Sequence, residues 1–354
     1  MSRLINFLRN LKEFNFKLFL KIILIILKKD YSKYPKYVSD FENSLSKKFG
    51  AEYCLTFSSG TAAFYASLLA LNLKKGSKVL ISSLTFPTVI KTLKKFDFEI
   101  YYFDINRNFE ILFKNPNEQK YDLLVATHPF GFYINFENLK PYLNNHAKII
   151  LDASHSQAMK INDVEHVKSA NISFMSLQGN KSISGGEGGI MLTDDEDLYL
   201  KMIDNHHPGH KKNKNIKVAG AINDLKLRMH PLAAVLASFD LKSFEKRNLI
   251  LKKKIEQIYD YLDKLNVKHP FTKDSIISGF HFGIPFFFSN KIISEIIKKY
   301  NWYTDLDSLQ INSILKQDDK SFFNELYFID LEWIKKNNIF KIKKKIDKIF
   351  QDAY

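Results

Sequence analysis

The chain carries a single cysteine, Cys54, in 354 residues, so it can form no intrachain disulfide and no thiolate metal cluster. A reducing compartment, the cytoplasm, is the natural expectation, and no metal site is predicted. Zinc-finger spacing, a glycine-aromatic RNA-binding signature and a recognition helix are all lacking, so specific binding of nucleic acid has no support beyond charge. Also missing is an apolar run of the roughly 20 residues that a spanning helix needs. Internal repeats and low-complexity linkers are absent too.

What is present begins with positive charge, +15 in all. Much of the excess sits at the ends, in Arg3, Arg9, Lys12, Lys17, Lys21, Lys28, Lys29, Lys33 and Lys36, and again from Lys335 to Lys348. Residues 1–38 therefore read as a basic, apolar N-terminal extension. Its apolar stretch LFLKIILIIL (Leu18 to Leu27) is too short to span and has no small-residue cleavage site of the signal-peptide kind. Two readings remain open. The stretch is an interfacial helix at the inner face of the membrane, or a helix burying its apolar side against this protein or a partner subunit.

From about residue 50 short β-rich runs alternate with helical ones, the arrangement of an α/β layer fold. Strands are predicted at Tyr53–Phe57, Lys78–Ser82, Glu99–Phe103, Leu123–Thr127, Lys148–Asp152, Ile172–Ser176 and Gly189–Thr193, with helices at Thr61–Leu73 and Thr88–Lys95. A long helix opening near His230–Pro231, with room for a bend inside it, links a large domain (39–245) to a smaller one (246–354). Ile339, Ile342, Ile346 and Ile349 stand at helical spacing, as on a solvated amphipathic helix. SGFHFGIPFFFS (Ser278 to Ser289) reads as a core strand in preference to a pocket wall, with no role assigned to His281.

Three segments carry chemistry. In SSGTAAFYASLLAL a strand gives way to a helix near Gly60 and Thr61, and free N–H groups with the helix dipole favour a phosphate there. Ser-Gly-Thr also caps ordinary helices, so this alone decides nothing. In ILDASHSQ, Asp152 ends an apolar strand and His155 follows; a carboxylate so placed can keep a pyridine nitrogen protonated. In SLQGNKSISGGEGG, Ser176 ends a strand and Lys181 follows among glycines, where a partly desolvated lysine can lose its proton and condense with an aldehyde.

Taken with FENSLSKKFGAEY, SSLTFPT, THPFG and KLRMHPLAA, in that order, these segments resemble the DegT/DnrJ/StrS family of pyridoxal-phosphate sugar aminotransferases over about Phe41 to Leu241. The resemblance implies fold type I: a large mixed-sheet α/β/α domain and a smaller C-terminal α+β domain. It implies pyridoxal 5'-phosphate held by Lys181 as a Schiff base, Asp152 on the pyridine nitrogen, and His155 near the phenolic oxygen. Phe86 would stack on the ring, while Gly60, Thr61 and Ser176 hold the phosphate. Lys226 would reach the phosphate across a homodimer interface. Arg228, one of only five arginines, is the candidate for the donor carboxylate, since two parallel N–H groups match it.

The implied reaction takes an amino group from glutamate or glutamine and gives it to a keto-sugar, usually nucleotide-linked, as in making surface polysaccharide. Relatives that dehydrate sugars carry histidine in place of the lysine, and Lys181 argues against that chemistry. A rival reading is a pyridoxal-phosphate-binding regulatory or membrane-associated protein with little turnover. After about residue 265 the resemblance fades, so acceptor, position aminated and stereochemistry stay open.

Overall fold

The computed structural model describes residues 16–28, 36–106, 108–113, 118–161, 164–206, 225–272, 283–287 and 326–351. In chain order they form α1 (Phe16–Leu27), α2 (Lys36–Phe49), β1 (Tyr53–Phe57), α3 (Gly60–Leu71), β2 (Lys78–Ser82), α4 (Pro87–Lys94), β3 (Glu99–Ile105), β4 (Ile111–Leu112), β5 (Tyr121–Thr127), β6 (Leu143–Asp152), β7 (Lys160–Ile161), β8 (Val164–Glu165), β9 (Ile172–Ser176), β10 (Gly189–Thr193), α5 (Glu196–His206), α6 (Pro231–Lys264), β11 (Gly283–Phe287), β12 (Leu326–Asp330), α7 (Leu331–Lys336) and α8 (Ile339–Gln351). All seven strands expected from sequence are present; β3, β5 and β6 run a few residues longer than their apolar runs.

Eight strands make one mixed sheet in the order β1-β10-β9-β6-β5-β2-β3-β4. The pairs from β9 through β6, β5 and β2 to β3 are parallel. β10 runs antiparallel to both β9 and β1. Side chains alternate across a strand, and that alternation builds two cores. Val79, Ile81, Leu123, Val125, Ile150 and Phe174 face α3, α4 and α5. Leu80, Leu124, Ala126, Leu151 and Met175 face α2 and α6. The result is an α/β/α sandwich, with the carboxyl ends of the parallel strands gathering the loops that carry polar residues, where ligands bind in such sheets.

The long helix α6 opens where the sequence places it: His230 Nδ1 accepts from the Leu232 N–H at 3.2 Å, and Pro231 fills the first turn. It continues unbroken for 34 residues. Residue 245, the expected domain boundary, falls inside it. Its far half carries the C-terminal elements: the Tyr259 hydroxyl donates to the Pro285 carbonyl at 3.3 Å, and Lys254 Nζ donates to the Asn337 carbonyl at 3.0 Å.

β11 is buried at all five residues, in keeping with a core strand; residues 278–282, His281 among them, and 288–289 lie outside the described residues. The amphipathic α8 departs from expectation. Ile342 and Ile346 are fully buried and the helix packs on α6, so its apolar face is part of the core and not solvated. At the other end, α1 packs on α6 and buries Ile25; residues 1–15 and 29–35 lie outside the described residues.

Candidate active site

β1 ends at Phe57, and α3 starts three residues later. The Ser59 hydroxyl caps the helix, accepting from the Ala62 N–H at 3.0 Å. Gly60 allows a close approach: a Cβ there would stand 3.1 Å from both Cα and Cβ of Ser176, a tight contact. Thr61 is exposed at the first turn. The junction therefore presents unpaired helix-terminal N–H groups and hydroxyls from Ser59, Thr61 and Ser176 to one open volume.

That volume is a cavity of about 560 Å³ lined by Gly60, Thr61, Phe86, Asp152, His155, Ser176 and Lys181. Seven of the nine site residues predicted from sequence thus meet in one place. Its size is ordinary for a cofactor or a small substrate. Phe86 is 49 % exposed, so it is no core phenylalanine. It stands at the residue before α4 and lines the cavity.

Asp152 is buried at the end of β6, and its Oδ1 accepts from the Ser154 N–H at 3.0 Å. Burial raises its proton affinity above the usual carboxylate range; the Ser154 contact and the charge of Lys181 pull it back. The Ser154 hydroxyl accepts in turn from the Ser176 N–H at 3.0 Å. The turn after β6 is thereby tied to the end of β9. His155 Nδ1 accepts from the Phe130 N–H at 3.2 Å. A neutral imidazole held that way carries its proton on Nε2, which remains a donor.

Lys181 sits in the loop between β9 and β10. Leu177 N–H donates to the Gly188 carbonyl at 2.9 Å and Gly185 N–H to the Leu177 carbonyl at 3.0 Å, closing the loop at its base. Burial lowers the Lys181 pKa from 10.5 to about 8, while the Asp152 charge opposes that fall. An amine so poised has a sizeable neutral, nucleophilic fraction near neutral pH.

Several positioning residues escaped the sequence reading. Gln157 is 1 % exposed; its Nε2 donates to the Ser176 carbonyl and its Oε1 accepts from the Ile183 N–H, both at 2.8 Å. It thus braces the backbone on both sides of Lys181. From α6, Asp240 Oδ2 accepts from the Ser184 N–H at 2.9 Å, and Arg247 Nη2 donates to the Ser182 carbonyl at 3.0 Å. Gln157 lay inside the DASHSQ motif, and Arg247 was one of five arginines. Neither had a pattern that marked its partner.

Lys226 and Arg228 do not line this cavity. They lie on the segment that runs beside the end of β1, where the Ser58 N–H donates to the Leu227 carbonyl at 2.7 Å and Arg228 pairs with Phe57 through the backbone. Lys226 is exposed and Arg228 half-buried. Among the described residues no cluster of His, Cys, Asp and Glu could hold a metal ion.

The arrangement suits pyridoxal phosphate: an anion cradle at a helix start, an aromatic face, a buried carboxylate and a lysine of lowered pKa converge on one cavity. Relatives are distant. GDP-perosamine synthase of Escherichia coli O157:H7 is 26 % identical over 168 residues, 46 % of each chain. The 3-oxo-glucose-6-phosphate:glutamate aminotransferase of Bacillus subtilis is 28 % identical over 189 residues, 51 % of this chain and 42 % of that one. The chain spans about half the length of these curated relatives. Among solved structures, E. coli GDP-4-keto-6-deoxy-D-mannose-3-dehydratase with bound hydrated pyridoxal phosphate superposes with a TM-score of 0.76. It is 16 % identical, and the match covers 95 % of this chain and 97 % of that one. The fold is therefore that of fold type I pyridoxal-phosphate enzymes. A model of the DegT/DnrJ/EryC1/StrS aminotransferase family matches residues 19–287, and the chain belongs to that family of pyridoxal-phosphate-dependent sugar aminotransferases.

Proposed function

We propose that this chain is an aminotransferase that binds pyridoxal 5'-phosphate at Lys181 and moves an amino group from glutamate or glutamine to a keto-sugar, carried by a nucleotide, for surface polysaccharide or glycan. The observation that carries the reading is the meeting of Gly60, Thr61, Phe86, Asp152, His155, Ser176 and Lys181 around one cavity. The cofactor supplies an aldehyde that takes up the amino group and a ring that spreads the negative charge formed at the donor's α-carbon.

The chain's own residues do the rest. The α3 start, with Thr61 and Ser176, holds the phosphate. Asp152 would hold a proton on the ring nitrogen, and that pairing would offset its own burial. His155 Nε2 donates toward the phenolic oxygen, and Phe86 covers one ring face. Lys181 Nζ would hold the cofactor's aldehyde and, once displaced by the donor, would serve as the general base and acid for the α-proton. The working unit is a homodimer in the cytoplasm in which Lys226 of one subunit reaches the phosphate in the other, with Arg228 of the same segment as a carboxylate contact.

The likeness to GDP-perosamine synthase supports a nucleotide-linked acceptor; that to the 3-oxo-glucose-6-phosphate enzyme supports a keto-sugar phosphate as the second choice. A spectrum with added donor is the first test: a visible band should appear with cofactor and bleach with glutamate or glutamine. A band that no amino donor bleaches would favour a regulatory protein. Supplying 15N-glutamate with nucleotide keto-sugars and keto-sugar phosphates, and following label into the sugar, then separates the acceptors.

A further inference from the structure

The helix α1 has two apolar faces, and the fold uses one. Ile25 is 3 % exposed where α1 packs on α6, with Ile22 half-buried beside it. Leu20, Leu24 and Leu27 stand at i, i+4 and i+7 on the opposite side, exposed by 42, 52 and 74 %. Contiguous exposed leucines of this kind mark an interaction surface. Twelve residues of helix reach roughly 18 Å, well short of a hydrocarbon core, and no described helix is long and apolar enough to cross a membrane.

Charge decides what covers the stripe. Lys21 and Lys242 both place their ammonium groups over the ring of Phe239, at 5.5 and 4.8 Å from its centroid. Lys28 and Lys36 are exposed close by in sequence. Two cations drawn to one ring repel each other, and an anion beside them relieves that repulsion. A second copy of this chain would bring the same leucines but also the same lysines, in a protein of net charge +15. A surface of anionic lipid satisfies both features: acyl chains take the leucines while headgroup phosphates meet the lysines.

We infer that the outer face of α1 docks this protein, peripherally, on an anionic membrane surface. The helix lies along the protein, its inner side on α6, so its outer side can lie flat in the headgroup layer. This inference is independent of the proposed chemistry, because no residue of α1 lines the cavity.

The test is co-sedimentation of the full chain, loaded with cofactor, with phosphatidylcholine vesicles that do or do not contain phosphatidylglycerol. Partition onto the anionic vesicles should be at least about tenfold stronger and should fall as salt is raised. Leu24→Glu with Leu27→Glu changes two exposed side chains, so the fold stands, and partition should drop at least about tenfold with the cofactor spectrum unchanged. Equal sedimentation with both vesicle types, or none with either, overturns the proposal. So does a double variant that binds vesicles as before, or one whose only change is a smaller particle by light scattering, which would make the stripe a subunit contact.

Discussion

Asp152 and Lys181 share one cavity and pull each other's proton affinity in opposite directions: the carboxylate holds the lysine's proton on, and the ammonium draws the carboxyl down. Burial works against both charges. Asp152→Asn therefore removes what opposes desolvation at Lys181, and the lysine's midpoint should fall below about 8. The pH dependence of Lys181 acylation in cofactor-free protein measures it. An unchanged or higher midpoint would show that the two groups do not interact.

The same burial makes Lys181 a liability to the empty protein. Between about 8 and 10.5 the unfolded chain keeps a proton that the folded lysine has released, so stability should rise with pH across that window. Below it both states hold the proton and the full burial penalty persists. Lys181→Met should consequently melt higher than wild type at neutral pH when cofactor-free, and lack this lysine's share of the alkaline rise. It should also show no visible band and no turnover. Thermal scans at neutral and alkaline pH, with a spectrum alongside, check all three.

Phe86 is half-exposed, so Phe86→Ala should leave the melting temperature of cofactor-free protein nearly unchanged. Losing a stacking face of about 1 kcal/mol or more should weaken pyridoxal phosphate binding roughly tenfold. An absorbance titration reads this directly. A large drop in melting temperature would return Phe86 to the core.

Gln157→Leu should do the reverse. It leaves the Ser176 carbonyl and the Ile183 N–H without their partner, and buried groups so stranded cost about 1–3 kcal/mol each. The denaturation midpoint should fall markedly, and the lysine loop should exchange its amide protons faster than the rest of the sheet.

Lys226 is tested by mixing. If it serves the opposite subunit, Lys181→Ala and Lys226→Ala proteins are each impaired alone, yet exchange of subunits restores one intact site per heterodimer. Recovery of activity on mixing is the expected outcome; none, after exchange is shown by labelled subunits, places Lys226 outside the shared site.

The strands were legible because each is a short β-rich run separated from the next by a helical or polar stretch, and Asp152 and Ser176 because they end two of those runs. Their roles came from the order of the motifs and the family resemblance that order carries. The braces could not be read this way. Gln157 finds Ile183 26 residues away and Asp240 finds Ser184 at a distance of 56, and no local pattern encodes such a pairing. β4, β7 and β8 are two residues each, too short to show a period. The C-terminal helix read as solvated because its lysines dominate the count, while Ile342 and Ile346 needed a partner helix to reveal their side.

The unbroken helix α6 puts the two ends of the molecule mechanically in series. At its start, the Ala233 carbonyl would stand 2.8 Å from a Cβ on Gly185, so the helix touches the lysine loop backbone to backbone. At its end, Tyr259 and Lys254 grip the C-terminal strand and helices. The helix runs 34 residues, roughly 50 Å. One helix therefore holds both the loop that carries Lys181 and the C-terminal strand and helices, the first at its start and the second along its far half.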